Sequence, residues 1–308
     1  MPANLQPEQA RLTPSRETRS GTVRSADGTE IAYTTTEAST PGAPWIVLVN
    51  GPWSPQPLAI ADYLGDRYRF VRSDFRGLGA SGCPKDEAAY AIERHADDLE
   101  AVLDACGIEH AFWLAFHMGA QVAVETLRRR PSRARALVLV SASVGRAPPP
   151  SAAAALALRW GEATAISRSP SLDRAARAIA GSRVGRRALV ATGLLGDTLS
   201  PRERAERLDA LREIRLGPLL RTVAAARGHD AASVLRELDL PVLVVAGDRD
   251  RLLPDGAAVR MTRQLSHAEL LTVRGGSHFM ALEFPELIAL RIEQFFGTRS
   301  FETRSFET

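Results

Sequence analysis

Three side chains suited to acid–base chemistry stand a few residues after apolar, strand-like runs of this sequence: His117, Asp250 and His278. The carboxyl ends of parallel strands meet at one edge of a sheet, so residues that follow such strands are brought together there. A carboxylate beside an imidazole fixes the ring tautomer and makes the other ring nitrogen a proton acceptor. The order of the residues predicts that Asp250 orients His278, with Asp248 as the alternative carboxylate, and that His117 lies nearby.

The turn around His117 has a restrictive sequence pattern. Ala115 and Gly119 are small residues placed two positions before and after the histidine, between an apolar run and a helical pattern that begins near Met118. A side chain at the centre of such a turn projects from a sharp strand-to-helix corner, the position of a nucleophile. The backbone there is strained by about 1–3 kcal/mol, so packing alone would not select a bulky imidazole. An imidazole can be a nucleophile, a general base or a hydrogen-bond donor, and all three roles stay open.

The order of the predicted elements indicates an α/β fold with a mostly parallel, doubly wound sheet. Apolar runs of strand length alternate with amphipathic stretches of helical periodicity, and Asp27-Gly28 predicts an opening hairpin. Strand signals vanish in the second third of the chain, which predicts a helical cap inserted into the sheet domain. The division is a disordered lead-in at 1–20, a core at 21–143 and 239–297, the cap at 144–238 and a disordered tail at 298–308.

Four motifs in this order resemble those of the α/β-hydrolase superfamily, over a stretch from about Gly21 to Phe296. The motifs are Asn50-Gly51, Asp74-Phe75-Arg76-Gly77-Leu78-Gly79-Ala80-Ser81, the turn at 115–119, and Gly247-Asp248-Arg249-Asp250 with Gly275-Gly276-Ser277-His278. The resemblance implies that Asp250 is the acid and His278 the base of a catalytic triad. The chain is identified as a member in which His117 replaces the elbow serine.

A second departure from the family lies in the loop that the resemblance assigns to oxyanion binding. One oxyanion donor of the family is the backbone N–H that follows the pair matched by Asn50-Gly51, and here that residue is Pro52, which has no N–H. Losing one such donor lowers the rate of acyl transfer by about 10²–10³. The N–H of Met118 is expected to remain, and Trp53 or the Asn50 side chain could donate in place of Pro52.

Both departures weaken ester hydrolysis, whereas Asp250 and His278 are present. The sequence therefore predicts a cofactor-free enzyme that performs acid–base chemistry on a small carbonyl-bearing metabolite. Cyclisation, lyase or isomerase reactions would suit the site, as a tailoring step in secondary metabolism. Two alternatives stay open. One is a hydrolase or acyltransferase that uses His117 as nucleophile or activates a water between the two imidazoles, and the other is an inactive protein that binds a ligand.

The composition of the chain limits the classes of partner that the protein is expected to bind. The chain has 308 residues, 45% of them hydrophobic, and no apolar run approaches the roughly 20 residues of a membrane span. A net charge of +3 without a basic stripe gives no support for nucleic-acid binding. Two cysteines and a polar start predict a cytoplasmic protein. The predicted partner is a small-molecule substrate, with no cofactor and no metal, and a homodimer stays open. The remaining histidines are predicted to be ordinary surface or helix-end residues: His95, His110, His229 and His267.

Overall fold

The computed structural model describes residues 16–51, 56–142, 144–145, 171, 182, 214–253 and 256–302. These residues form one eight-stranded sheet with the order β1-β2-β4-β3-β5-β6-β7-β8. Only β2 runs antiparallel to its neighbours; every other pair apart from those of β2 is parallel. The predicted α/β fold with a mostly parallel sheet is confirmed. The strands are β1 (Thr18–Arg24), β2 (Glu30–Thr36), β3 (Trp45–Val49), β4 (Arg69–Ser73), β5 (Ala111–Phe116), β6 (Ala134–Val140), β7 (Val242–Gly247) and β8 (Ala268–Val273).

Helices cover both faces of the sheet. The described helices are α1 (Gln56–Leu64), α2 (Ile92–Ala105), α3 (Gly119–Arg129), α4 (Leu216–Gly228), α5 (Ala232–Glu237), α6 (Ala257–Arg263), α7 (Met280–Glu283) and α8 (Pro285–Glu302). Strand β5 shows why two apolar layers form, because successive side chains of a strand point to opposite faces. Phe112 and Leu114 pack in the layer with α1 and α8, whereas Trp113 and Ala115 pack in the layer with α2 and α3. A strand buried on both faces must be apolar throughout, as β5 is.

Both ends of the ordered domain extend beyond the predicted boundaries. Strand β1 begins at Thr18, inside the predicted lead-in 1–20, and α8 continues to Glu302, inside the predicted tail 298–308. The hairpin predicted around Asp27-Gly28 includes the end of β1, but the first residues of this strand are polar and gave no strand signal; backbone pairing of Thr18 with Thr36 holds them instead. Arg16 adds hydrogen bonds to the carbonyls at the end of α1. Residues 1–15 and 303–308 lie outside the described part of the chain.

The predicted cap is described only where it returns to the sheet, as α4 and α5. Most of the segment, residues 146–170, 172–181 and 183–213, lies outside the described residues, so its extent from 144 to 238 stays a prediction. Helix α4 packs against the loop after β4, where a side chain on Gly77 would put its Cβ 2.4 Å from Pro218. The carboxyl ends of β3, β5, β6, β7 and β8 meet at the edge of the sheet beside this loop, which is where the predicted site residues lie.

Candidate active site

The turn around His117 has the strained geometry that its pattern predicts. His117 has φ 52°, and its N–H donates to the Val140 carbonyl over 3.1 Å, which ties the turn to β6. Gly119 is required two residues later, because a Cβ there would lie 2.4 Å from the Val49 carbonyl oxygen and 2.6 Å from that of Asn50. Helix α3 therefore starts directly against the end of β3. The sharp corner projects the imidazole at the carboxyl edge of the sheet.

His278 and Asp250 form the predicted pair. The Nδ1 atom of His278 lies 2.8 Å from Asp250 Oδ2, and both side chains are almost entirely buried. The second carboxylate oxygen of Asp250 accepts the backbone N–H groups of Leu252 and Leu253 over 2.9 and 3.1 Å. With the carboxylate held in this way, Nδ1 of His278 is the donor and the lone pair of the ring is on Nε2.

Asp248 has a different task from Asp250. Its Oδ1 accepts the N–H of Gly275 over 2.6 Å, which joins the loop after β7 to the loop after β8. The two loops also touch through Gly247, where a Cβ would lie 2.1 Å from the Gly276 carbonyl oxygen. Asp248 thus holds together the loops that bring Asp250 and His278 within reach, and the alternative assignment of Asp248 as the partner of His278 is wrong.

Two residues that sequence reasoning missed support His278 from its own loop. Glu283, in the short helix α7, accepts both the backbone N–H and the hydroxyl of Ser277 over 2.9 and 2.6 Å. Phe279 lies on the other side, with its ring centroid 5.6 Å from those of both His117 and His278. The i, i+6 spacing of Ser277 and Glu283 matches no regular helical contact, so only the folded loop reveals it.

The rings of His117 and His278 are in direct contact. Their centroids are 4.1 Å apart, their planes differ by 32°, and the two residues are 8% and 6% exposed. Burial lowers the pKa of His117 well below its usual value, repulsion from His278 lowers it further, and a hydrogen bond to the Ser141 backbone acts in the opposite direction. His117 is therefore a neutral imidazole near pH 7. The contact leaves no room for a water between the ring faces, so the water of the hydrolytic alternative would have to lie at the ring edges.

The predicted oxyanion residues that the structure describes surround His117. A Cβ on Gly51 would lie 3.2 Å from Cδ2 of His117, and the carbonyl of Asn50 lies against Gly119. Met118 is the N-cap of α3, so its N–H has no intrahelical acceptor and lies at the positive end of the helix dipole. Pro52 and Trp53 lie outside the described residues, so the loss of an oxyanion donor at Pro52 stays a prediction.

Ser141 is a second strained residue that the sequence did not single out. It follows β6 with φ 47°, and it and His117 are the non-glycine residues with positive φ in the described part of the chain. Such strain persists where surrounding structure over-determines the backbone, and it concentrates at functional sites. Ser141 lies beside His117 because Phe116 of β5 pairs with Val140 of β6.

The remaining histidines differ in burial. His95 is 2% exposed within α2, so the prediction of a surface or helix-end residue is wrong for it; its partners, described below, come from distant segments. His229, at the end of α4, places Nδ1 3.0 Å from Oε1 of Gln121 in α3. Among the residues that the structure describes, no three His, Cys, Asp or Glu side chains cluster as metal ligands. None of the described helices is long and apolar enough to cross a membrane.

Comparison with known proteins gives a consistent family. A family model described as alpha/beta hydrolase fold matches residues 44–285. The putative carbamate hydrolase RutD of Agrobacterium fabrum is 27% identical over 269 residues, which is 82% of this chain and 93% of that protein. The AB hydrolase superfamily protein YisY of Bacillus subtilis is 26% identical over 229 residues, 74% of this chain and 81% of the relative.

Solved structures agree with the family at the level of the fold. A hydrolase from Pseudomonas aeruginosa superposes with a TM-score of 0.71 at 24% identity, over 91% of this chain and 98% of that structure. The enol-lactonase from Burkholderia xenovorans superposes with a TM-score of 0.70 at 21% identity, over 90% of this chain and 100% of the other. At these identities the likeness concerns the fold alone.

Proposed function

The chain belongs to the alpha/beta hydrolase fold family and is an enzyme of that fold, and from this premise we propose that it is a cofactor-free acid–base catalyst. His278, oriented by Asp250, is the general base, and neutral His117 is a hydrogen-bonding partner of the substrate. The substrate is a small carbonyl-bearing molecule that loses a proton, in a cyclisation, elimination or isomerisation. The replacement of a serine by His117 is part of this proposal.

The observation that carries the proposal is the 2.8 Å hydrogen bond between His278 Nδ1 and Asp250 Oδ2. A carboxylate in this position stabilises the imidazolium that forms when Nε2 takes a proton. Proton transfer by such a positioned group contributes about 10²–10⁴-fold to a rate. Burial of both side chains strengthens the interaction, because the local dielectric constant is low.

The orientation of the two imidazoles indicates that His278 removes a proton from the substrate and not from His117. The N–H bonds and lone pairs of an imidazole lie in the ring plane, and the two rings meet largely face to face at 4.1 Å. This arrangement disfavours direct proton transfer between the rings, because an in-plane lone pair does not point at the face of the other ring. The proton acceptor of His278 is therefore directed at the ring edge, where substrate binds.

Stabilisation of negative charge on a carbonyl oxygen has a donor available beside the base. The N–H of Met118 begins α3, where the helix dipole favours a developing oxyanion or enolate. The Asn50 and Gly51 loop borders the same space next to His117. These groups would act on an enolate as well as on a tetrahedral intermediate, so they fit proton abstraction next to a carbonyl.

The ring opening of 5-nitrobenzisoxazole tests the general base without knowledge of the natural substrate. The base removes the carbon-bound proton while the N–O bond breaks, which gives a coloured nitrophenolate. We expect His278→Ala to lose this activity, His117→Ala to keep a measurable part of it, and the exposed His267→Ala to match wild type. Turnover by His278→Ala at the wild-type rate would contradict the proposal.

Hydrolysis is a second candidate because relatives that cover most of the chain carry hydrolase names, among them the putative carbamate hydrolase. In this version His278 activates a water at the ring edges, or His117 attacks the acyl group directly. Release of nitrophenolate from p-nitrophenyl acetate distinguishes the two routes. A burst equal to the enzyme concentration that disappears in His117→Ala would support a nucleophilic His117, and burst-free release that requires His278 would support water attack.

A further inference from the structure

A small cavity lies behind the Asn50 loop, on the face of the sheet that α2 and α3 cover. Asn50 and Val49 line it from the end of β3, His95 and Leu99 from α2, and Val122 from α3. The space accommodates about one water molecule. The backbone carbonyl of Asn50 packs against Gly119, two residues after His117.

Two of the residues that line this cavity each have a buried polar atom without a hydrogen bond to any residue that the structure describes: Asn50 Oδ1 and His95 Nδ1. The charged side chains that also line the cavity are already engaged. Asp98 binds the guanidinium of Arg76 through both oxygens, over 2.8 and 2.6 Å. Asp74 accepts the N–H of Ala80 over 3.0 Å. Buried polar atoms rarely stay unsatisfied in folded proteins, so the two remaining atoms require a partner.

The chemistry of that partner follows from the direction of the neighbouring hydrogen bonds. The Thr222 hydroxyl donates to the Pro218 carbonyl over 3.1 Å, so its oxygen accepts from His95 Nε2 over 3.3 Å. The ring proton of His95 is therefore on Nε2, and Nδ1 is an acceptor. Burial and the nearby Arg76 lower the pKa of His95 to about 3, which keeps the ring neutral. Asn50 Oδ1 is also an acceptor, so the cavity presents two acceptors and needs two donors.

We propose that this cavity binds one water molecule, which donates one hydrogen to Asn50 Oδ1 and the other to His95 Nδ1. A water supplies two donors in the space of one small molecule. A cation could also meet two acceptors, but among the described residues no three His, Cys, Asp or Glu side chains cluster as metal ligands.

The proposed water joins His95 to Asn50 and so makes His95 a positioning residue for the Asn50 side chain. When Oδ1 is held on the cavity side, the N–H₂ group of the same planar amide points away from the cavity. Gly51, the next residue, is in contact with the His117 ring. The water thus presents Asn50 as a donor at the catalytic loop, and this functional consequence rests on the proposed function.

Crystal structures of the wild type, His95→Phe and His110→Phe test the inference. Phenylalanine keeps the ring contact with Phe75, whose centroid lies 4.6 Å from that of His95, but it removes both nitrogens. His110, an exposed histidine bonded to the Ser132 carbonyl, is the matched control. We expect an ordered water within about 3.2 Å of both acceptors in the wild type and the control. In His95→Phe we expect the water to be lost and the Asn50 side chain to rotate.

A nitrogen-15 spectrum of the wild-type imidazoles gives a second measurement, which reports the position of the ring proton of His95. We expect the His95 ring to be protonated on Nε2 alone at pH 7. A dry cavity, a direct bond from the Asn50 amide to His95, or a proton on Nδ1 would overturn the inference. None of these readouts needs turnover, so they separate a failure of the water site from a failure of the proposed function. The wild-type measurements decide the matter even where His95→Phe does not fold.

Discussion

Two buried polar clusters lie at the carboxyl edge of the sheet, and they use their hydrogen bonds differently. In the guanidinium cluster (Arg76, Asp27 and Asp98) the fully buried Arg76 donates to both carboxylates and to the backbone carbonyls of Ala89 and Arg94. The hydrogen bonds of this cluster join four segments of the chain. This cluster holds the loop after β4.

In the imidazole cluster (His117, His278 and Asp250) the hydrogen bonds end at a ring. Asp250 accepts hydrogen bonds from two backbone N–H groups and from Nδ1 of His278. The hydrogen bond to Asp250 leaves Nε2 of His278 for another partner. The neighbouring His117 adopts a strained backbone conformation, as Ser141 does beside it. The first cluster therefore serves the fold, and the proposed function assigns the chemistry to the second.

The largest expected effect is on the rate and comes from the imidazole cluster. Asp250→Asn should lower kcat for ring opening of 5-nitrobenzisoxazole by about 10⁴-fold, because an amide favours the wrong tautomer of the oriented imidazole. Asp248→Asn keeps the oxygen that accepts from Gly275 and is the matched control, with activity close to wild type. Equal losses in both variants would show that loop structure, and not proton transfer, governs the rate.

The next largest effect is on stability and comes from the guanidinium cluster. Arg76→Met should lower the free energy of unfolding by about 3–5 kcal/mol, because it leaves Asp98 buried without its partner. Arg24→Met, which removes an exposed pair with Glu30, should change stability little. Urea unfolding measures both. If Arg76→Met were as stable as wild type, the cluster would not hold the fold as the comparison requires.

The third effect is a pH dependence of stability, and it comes from His95, which lies near Arg76 of the guanidinium cluster. The unfolded chain protonates His95 below its ordinary pKa of 6.5, whereas the folded protein does so only near a pKa of about 3. The unfolded state therefore binds more protons in this window, and stability falls as pH falls. Between pH 6 and 4 the His95→Phe variant should lose about 2–3 kcal/mol less stability than wild type in urea unfolding. Parallel pH curves would show that His95 is not held neutral.

The smallest expected effect measures the strain at the elbow. His117→Gly should be more stable than His117→Ala by about 1 kcal/mol, because φ 52° suits glycine and not alanine. The reference is Ala123→Gly within α3, where glycine should be the less stable residue by a similar amount of about 1 kcal/mol. Thermal unfolding resolves the order of the variants. A His117→Ala protein more stable than His117→Gly would mean that the turn relaxes once the imidazole is removed.

Much of the site was predictable because its residues follow strands. The alternation of apolar runs and helical patterns predicts the sheet, and the order of Asp250 and His278 after two of its strands predicts their meeting. The glycine at 119 was also predictable, since the strand-to-helix corner leaves no space for a side chain. Boundaries at the ends of the chain were less predictable, because backbone pairing and helix extension there involve polar residues.

Other contacts carried no sequence signal. Glu283 and Ser141 support the site through a loop hydrogen bond and a backbone carbonyl, and neither depends on a residue pattern that could be read in advance. The burial of His95 arises from Phe75 and Thr222, which lie 20 residues before it and 127 residues after it. Such residues become neighbours because elements that are distant in the chain pack together.

The sequence by itself determined the sheet, the strand ends that carry Asp250 and His278, and the imidazole at the apex of the turn. These features follow from local periodicity and from the rule that parallel strands end at one edge. Only the tertiary structure decided that Asp250 and not Asp248 binds His278, and that the rings of His117 and His278 touch. Those outcomes depend on loop contacts of a few ångströms, such as the approach of Gly247 to Gly276, and no spacing along the chain specifies them.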